Sequence, residues 1–289
     1  MKNSKSLSLI IVFISYCIAI ILGYCSIQYL NINSLAEIFI ADLVATVVIY
    51  LSGYLFKNSS IYDPYWSVIP PFLLLYWIYD IIGSLNIQSI LILFSVLFWS
   101  LRLTFNWMRG WKGLNQEDWR YVDMRNYSGK WFEFSNFLGI HLFPTLIVFV
   151  CCIPMKNAIV KTTNDLSFLI GFIVCFIGVM YEIISDQQLY NFKKKNPEGM
   201  IEEGLWKYSR HPNYYGEILF WWGIFIYGVN PDNYLLLILA PISMTIMFIY
   251  VSIPWIENKI LRTRSEYRQY QKNVSMLFPE ITIFKNIFK

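Results

Sequence analysis

LSFLIGFIVCFIGVMYEIISDQQLYNFKKK, residues 166–195, decides how this chain must be read. From Leu166 to Tyr181 it holds no charged residue, and only then do Glu182, Asp186 and Lys193–Lys195 follow. As a helix it is roughly 45 Å long, while a bilayer's hydrocarbon is about 30 Å thick. Its first part therefore spans a membrane and its last turns project into water. Spacings of four and seven put Glu182, Asp186 and Lys193 on one helix face, a polar stripe descending from the aqueous side into the membrane.

Working outward, the rest of the chain has the same character. Of its 289 residues 56% are apolar, 19% aromatic and 15% charged, the composition of a chain solvated mainly by lipid. Apolar runs long enough to span recur at about 7–30, 35–56, 66–83, 87–107, 134–154, 166–190, 213–229 and 234–256. Helices are the only open choice, because an unclosed sheet leaves backbone donors unpaired in hydrocarbon. The expectation is an all-α, polytopic transmembrane bundle of about eight spans, or seven if one run does not cross. Residues 1–289 read as a single membrane domain: four plain spans over 1–109, a polar aromatic cytosolic loop over 110–133, and a C-terminal part over 134–289 that carries the chemistry.

Sidedness follows from counting, since cytosolic loops collect Lys and Arg. With the N-terminus in the cytosol, 21 of the 23 Lys and Arg fall on the cytosolic side, from Lys2 and Lys5 to Lys285 and Lys289, and only Lys156 and Lys161 lie opposite. Eight spans with both termini cytosolic satisfy this count. The net charge of +4 is too small and dispersed for nucleic-acid binding. Five cysteines in or beside apolar spans, without Cys-x-x-Cys spacing, argue against a disulfide framework or a zinc site. The first apolar run exceeds a signal-peptide core and reads as a retained anchor.

Ionisable groups at membrane depth are costly and mark function. Glu217, within Tyr-Tyr-Gly-Glu-Ile-Leu-Phe-Trp-Trp, is read so, as are Glu182 and Asp186. Glu37, Asp42 and Asp80 have little sequence context and read as interfacial or helix-packing residues, and His141 as a hydrogen-bonded packing residue. Pro212 suits the first position of a helix, whose positive end beside Arg210 and His211 attracts phosphate or carboxylate. Asp63-Pro64-Tyr65-Trp66 opens the third span. An acid and a phenol there are groups that polarise a carbonyl, although Asp-Pro is also ordinary turn chemistry.

Gly204-Leu205-Trp206-Lys207-Tyr208-Ser209-Arg210-His211-Pro212-Asn213-Tyr214-Tyr215-Gly216-Glu217 resembles the signature of the steroid 5-alpha-reductase-like membrane proteins, and more closely their DUF1295 branch. Asp63 to Ser67, Glu117-Asp118-Trp119-Arg120-Tyr121, Asp186-Gln187-Gln188 and the tail from Glu257 through Tyr267 to Phe278-Pro279 extend the resemblance over roughly residues 60–280. It implies NADPH as the hydride source for an enone. Asn213, Tyr214 and Glu217 match the box beside the nicotinamide, and Asp186 and Lys193 match cofactor contacts on the preceding helix. Arg102 matches an Arg at the end of the fourth span. Arg210, His211 and Tyr267 fall in the implied cofactor pocket, and Asp63 and Tyr65 stand in for the catalytic acid and phenol of the steroid enzymes. Arg-His-Pro-x-Tyr-x-Gly also resembles the isoprenylcysteine carboxyl methyltransferases, which implies S-adenosylmethionine as the alternative cofactor.

Two activities are thus expected: reduction of a carbon-carbon double bond in an apolar, sterol-like or other lipid enone, or methyl transfer to a lipid or isoprenylated carboxylate. A lipid-binding or scaffold protein without turnover is the non-enzymatic counterpart. No Gly-x-Gly-x-x-Gly is present, so a Rossmann site is not expected. The partners expected are the bilayer and an apolar lipid substrate. The expected location is the endoplasmic reticulum in a eukaryote or the inner membrane in a bacterium.

Overall fold

A computed structural model describes residues 4–30, 32–83, 85–161, 166–230 and 232–279. Lys2, Lys285 and Lys289, used in the charge count, lie outside the described residues. The described chain is helical, and no strand occurs in it. Seven helices are long and apolar enough to cross a membrane: Lys5–Ile27, Ser34–Phe56, Ser59–Ile82, Ile87–Gly110, Trp119–Val160, Leu166–Lys195 and Tyr234–Thr263. The protein is a multi-pass membrane protein. An eighth apolar helix, Pro212–Gly228, has 17 residues and so a length of roughly 25 Å. The chain forms two compact units, Met1–Val160 and Lys161–Lys289.

In the first unit α1 (Lys5–Ile27) and α2 (Ser34–Phe56) pack as an antiparallel pair. Ser4 caps α1 by accepting from the Leu7 amide, and Asn33 caps α2 by accepting from that of Ala36. Burial is inverted relative to a soluble helix. Leu7, Ile10, Phe13, Ile14, Ile18 and Ile21 are exposed, while Ser8, Ser15, Ala19 and Gly23 face inward. Small residues let helices approach closely where lipid offers no hydrophobic drive for association. Ser15 donates to the Ile11 carbonyl at 2.9 Å, so its hydroxyl is satisfied within its own helix.

The chain between α2 and α3 (Tyr65–Trp77) does not stay at the surface. Asn58, Ser59, Ser60, Ile61 and Tyr62 are buried, and the Ile61 carbonyl accepts from Tyr16 at 2.9 Å, roughly 16 Å along α1. Irregular backbone at such depth needs protein partners. They come from 114–118, which follows α4 (Ile87–Gly110): Asn58 donates to the Leu114 and Gln116 carbonyls, the Ser59 amide to Glu117, and the Asp118 amide to Ser60. The stretch expected as a loop over 110–133 is largely helical, with α5 (Trp119–Ser128) leading by short turns into α6 (Phe143–Val160). Asp118 caps α5, and Arg125 pairs with Glu117 at 3.0 Å. The polar residues there serve the buried 58–63 segment, which local composition does not reveal.

The second unit is built on α7 (Leu166–Lys195) and α8 (Pro212–Gly228). They cross at Gly178 and Gly216, where a Cβ on either would lie 2.6–2.7 Å from the other's carbonyl oxygen. Larger residues cannot be placed at this crossing without parting the helices. After α8 come α9 (Leu239–Met247), α10 (Ile253–Thr263) and the short α11 (Tyr267–Asn273).

Candidate functional site

In the first unit, the motif Asp63-Pro64-Tyr65-Trp66 divides between two polar clusters. Asp63 accepts a hydrogen bond from Tyr121 and faces Arg120 at 3.5 Å. Tyr65 turns elsewhere: its hydroxyl donates to Asp42 Oδ1 at 2.7 Å and lies 2.9 Å from the Asp42 carbonyl. Tyr65, read from sequence as a donor beside an acidic neighbour such as Asp63 or Glu217, thus has Asp42 as its carboxyl partner. Asp63 lies in the turn before α3 and Tyr65 in the helix's first turn, so the two side chains leave the backbone on different courses. Asp63 joins the two motifs read separately, Asp-Pro-Tyr-Trp and Glu-Asp-Trp-Arg-Tyr, in one interfacial cluster.

The Asp42–Tyr65 pair ends a longer chain of buried hydroxyls. Thr46 Oγ1 donates to Tyr65 at 3.0 Å, Thr46 and Thr145 are 3.0 Å apart, and Tyr62 and Thr145 are 2.9 Å apart. Asp42 is 3% exposed and Tyr65 2%. Tyr62 stacks on Tyr65 with ring centroids 5.0 Å apart, and the His141 ring lies 4.7 Å from that of Tyr62. His141 keeps the packing role read from sequence, its Nδ1 3.1 Å from the Asn136 carbonyl. Asp42, by contrast, is no interfacial residue. It lines a cavity of about 300 Å³ between α1, α2 and α3, whose other walls include Ala19, Gly23, Ala45, Phe72 and Tyr76. The signal was present in the sequence, since Asp42 and Thr46 are four apart on one face of an otherwise apolar span.

In the second unit the sequence-predicted residues fall into two groups. Asn213 donates to Asp186 at 3.2 Å, which brings the stripe on α7 and the first turn of α8 together. Glu217 is 4% exposed and accepts from Trp221 at 2.9 Å. Tyr214 stacks on His211 with planes 11° apart. Lys193 donates to the carbonyls of Pro197 and Gly199, closing the end of α7. Arg102 lies half-buried on α4 of the first unit.

Arg210, His211 and Tyr267 meet on Glu257, which the sequence reading named only as the start of the tail and gave no role in the site. Arg210 Nε donates to Glu257 Oε1 at 2.7 Å, His211 Nε2 lies 2.9 Å from the same oxygen, and Tyr267 donates to it at 3.0 Å. Gln271 donates to Oε2 at 2.7 Å, and Arg210 Nη1 to the Gln271 and Val274 carbonyls. Burial, then the Glu257 carboxylate beside it, pushes the Tyr267 phenol well above its ordinary range, so it stays a donor. This cluster clasps the Arg-His-Pro motif to the C-terminal tail and engages the guanidinium on every nitrogen.

Both units bear on what the chain is similar to. The family model for DUF1295, described as a protein of unknown function, matches residues 49–274. The chain belongs to the DUF1295 family. The DUF1295 match takes in Tyr62, Tyr65, the Glu-Asp-Trp-Arg-Tyr motif and the Glu257 clasp, but begins after Asp42 and Thr46. A relative in Schizosaccharomyces pombe, "Uncharacterized protein C594.04c", is 27% identical over 256 residues, covering 78% of this chain and 74% of the relative. No solved structure matches.

Proposed function

We propose that this DUF1295 protein is a membrane-embedded, NADPH-dependent reductase of the carbon-carbon double bond of an apolar lipid enone. The observation that carries this reading is the Asp42–Tyr65 carboxyl–phenol pair at the wall of an apolar cavity. Reduction of an enone places negative charge on the carbonyl oxygen, and a fixed donor there in a water-poor site is the largest single aid a protein can give. A carboxyl that carries a proton can accept from Tyr65 on one oxygen and donate to the ketone with the other. Tyr65 and Thr46 fix its orientation.

The cofactor supplies the hydride, and one proton from water completes the saturated product. The second unit fits such a cofactor at Asp186 and Asn213, a half-buried carboxylate and carboxamide that suit ribose hydroxyls or a nicotinamide amide. Arg210 and His211 fit it less well, being held by Glu257, so phosphate recognition falls to the exposed Lys194, Lys195 and Lys207. The charge count supports a cytosolic site for that end, and an endoplasmic reticulum or bacterial inner membrane location.

NADPH oxidation by the purified protein, measured with a panel of lipid enones, tests the reading. Turnover should fall at least about 100-fold in Asp42→Leu and Tyr65→Phe. Binding of S-adenosylmethionine without NADPH would sink it in favour of methyl transfer.

A further inference from the structure

The cavity has a direction. Its lining comes from Ala19 to Ile27 on α1, Ile38 to Ala45 on α2, and Ile69 to Tyr79, which runs from α3 into the turn after it. These are the parts of the three helices nearest the connections 28–33 and 83–86. Asp42, buried and bonded to Tyr65 behind it, is the carboxyl in its inner wall, and residues on lipid-exposed surface form its rim: Tyr24, Phe72, Leu75 and Tyr79, the last 78% exposed. Such a rim opens sideways into the bilayer. At the same level Tyr76, a wall residue, donates to Glu37 at 2.8 Å. The cavity thus has one carboxyl in its lining, Asp42, a second behind its wall residue Tyr76, and no basic residue in its lining.

Charge also says which membrane face the mouth adjoins. The connections 28–33 and 83–86 contain no Lys or Arg, whereas Lys5, Lys57, Arg109, Lys112, Arg120 and Arg125 gather at the other end of the unit's helices. By the bias of basic residues toward the cytosol, the mouth adjoins the non-cytosolic leaflet. A phosphate head would meet a carboxyl and no basic residue, while a ketone or hydroxyl head finds a hydrogen-bonding partner in Asp42 and an apolar body finds Ile, Leu, Phe and Tyr walls.

We propose that this cavity is a lateral portal site for a lipid with a small uncharged head, taken from the non-cytosolic leaflet and held head-inward at Asp42 with its apolar body between α1 and α3. Only the choice of a ketone probe rests on the reductase reading. The volume, about 300 Å³, sits at the low end for ligand sites, so it takes the head and adjoining part of the molecule and leaves the remainder in lipid.

Photolabelling of the full chain in nanodiscs tests this, using a long-chain ketone with a diazirine beside the carbonyl and phosphatidic acid with a diazirine on the same chain. The ketone should label peptides within 19–27, 38–45 and 69–79, and phosphatidic acid should not. Asp42→Leu, which keeps the bulk and removes the hydrogen-bonding group, should lower ketone labelling about tenfold, one hydrogen bond's worth. Leu75→Trp, at the exposed rim, narrows the mouth without altering the interior and should lower it similarly. In sealed vesicles a membrane-impermeant maleimide should reach Gln28→Cys from the face opposite to Lys112→Cys, in a Cys25→Ser background. Equal labelling by both probes, labelling spread along the exposed face from Leu7 to Ile18, or both cysteines reached from one face overturns the proposal. Labelling as expected without NADPH turnover keeps the portal and removes the reductase. Turnover unchanged in Leu75→Trp does the reverse.

Discussion

Removing the Glu257 carboxylate should cost more stability than removing any other single charged side chain of the second unit. Its two oxygens receive Arg210 Nε and Nη2, His211 Nε2, Tyr267 and Gln271, at 2.7–3.4 Å. Arg210 and Glu257 have side-chain exposures of 10% and 9%, so screening by solvent is slight. In Glu257→Ala the guanidinium stays buried against two carbonyls with no counter-charge, a loss of about 3–5 kcal/mol. For a protein of this size that lowers the thermal midpoint by roughly 6–20 °C. The assay is the midpoint of size-exclusion recovery after heating in detergent. Glu257→Gln keeps one acceptor oxygen and should fall between wild type and Ala. Arg210→Met/Glu257→Met removes both charges and should recover most of the loss, because a buried pair roughly balances its own desolvation. A shift under about 2 °C in Glu257→Ala, or a double variant worse than the single, would refute the claim that this clasp holds the Arg-His-Pro motif.

Other substitutions separate the roles further. Gly216→Ala places a methyl 2.6 Å from the Gly178 carbonyl and should destabilise by about 1–3 kcal/mol, read from the same midpoint. Thr145→Val strands the hydroxyl hydrogen of Tyr62 and should cost about 1–3 kcal/mol, with Thr145→Ser close to wild type. Asp63→Asn should lower the midpoint while retaining NADPH turnover, the opposite of Asp42→Leu; loss of turnover with an unchanged midpoint would return Asp63 to the active site. Lys193→Met removes two donors to Pro197 and Gly199 and should leave NADPH affinity within about threefold of wild type, less than one hydrogen bond.

The spans were legible because hydrocarbon imposes one rule on composition and length, and Leu166–Tyr181 obeys it without one charged residue. What escaped the sequence was long-range. The loop 110–133 looked irregular because its polar residues are judged locally, yet Glu117 and Asp118 answer backbone donors and hydroxyls 58 positions upstream. Asp63 and Tyr65 are two positions apart in sequence, yet Asp63, in the turn before α3, meets Tyr121 and Arg120 while Tyr65, in the helix, meets Asp42. Asp42 was set aside because nothing near it in sequence explained it; its partner lies 23 positions on and its second neighbour group at Thr145. Arg210 and His211 looked like anion ligands because Glu257, 47 and 46 positions away, is invisible to a local reading.

Each hydroxyl in the chain has one hydrogen, and that fixes the direction of every bond in it. Tyr65 has a single hydroxyl hydrogen and gives it to Asp42, so it can only accept from Thr46. Thr46 has then spent its own hydrogen, which makes Thr145 the donor between the two threonines and Tyr62 the donor to Thr145. Every O–H from Tyr62 to Tyr65 points the same way and ends on Asp42. Aligned bonds polarise one another, so the carboxyl is held as an acceptor on the oxygen facing Tyr65. Its remaining oxygen is the group left to meet a ligand, where it accepts from an alcohol when ionised and donates to a ketone when protonated. Substitution at Thr46 or Thr145 should therefore change how Asp42 treats those two ligand types without either threonine touching the ligand.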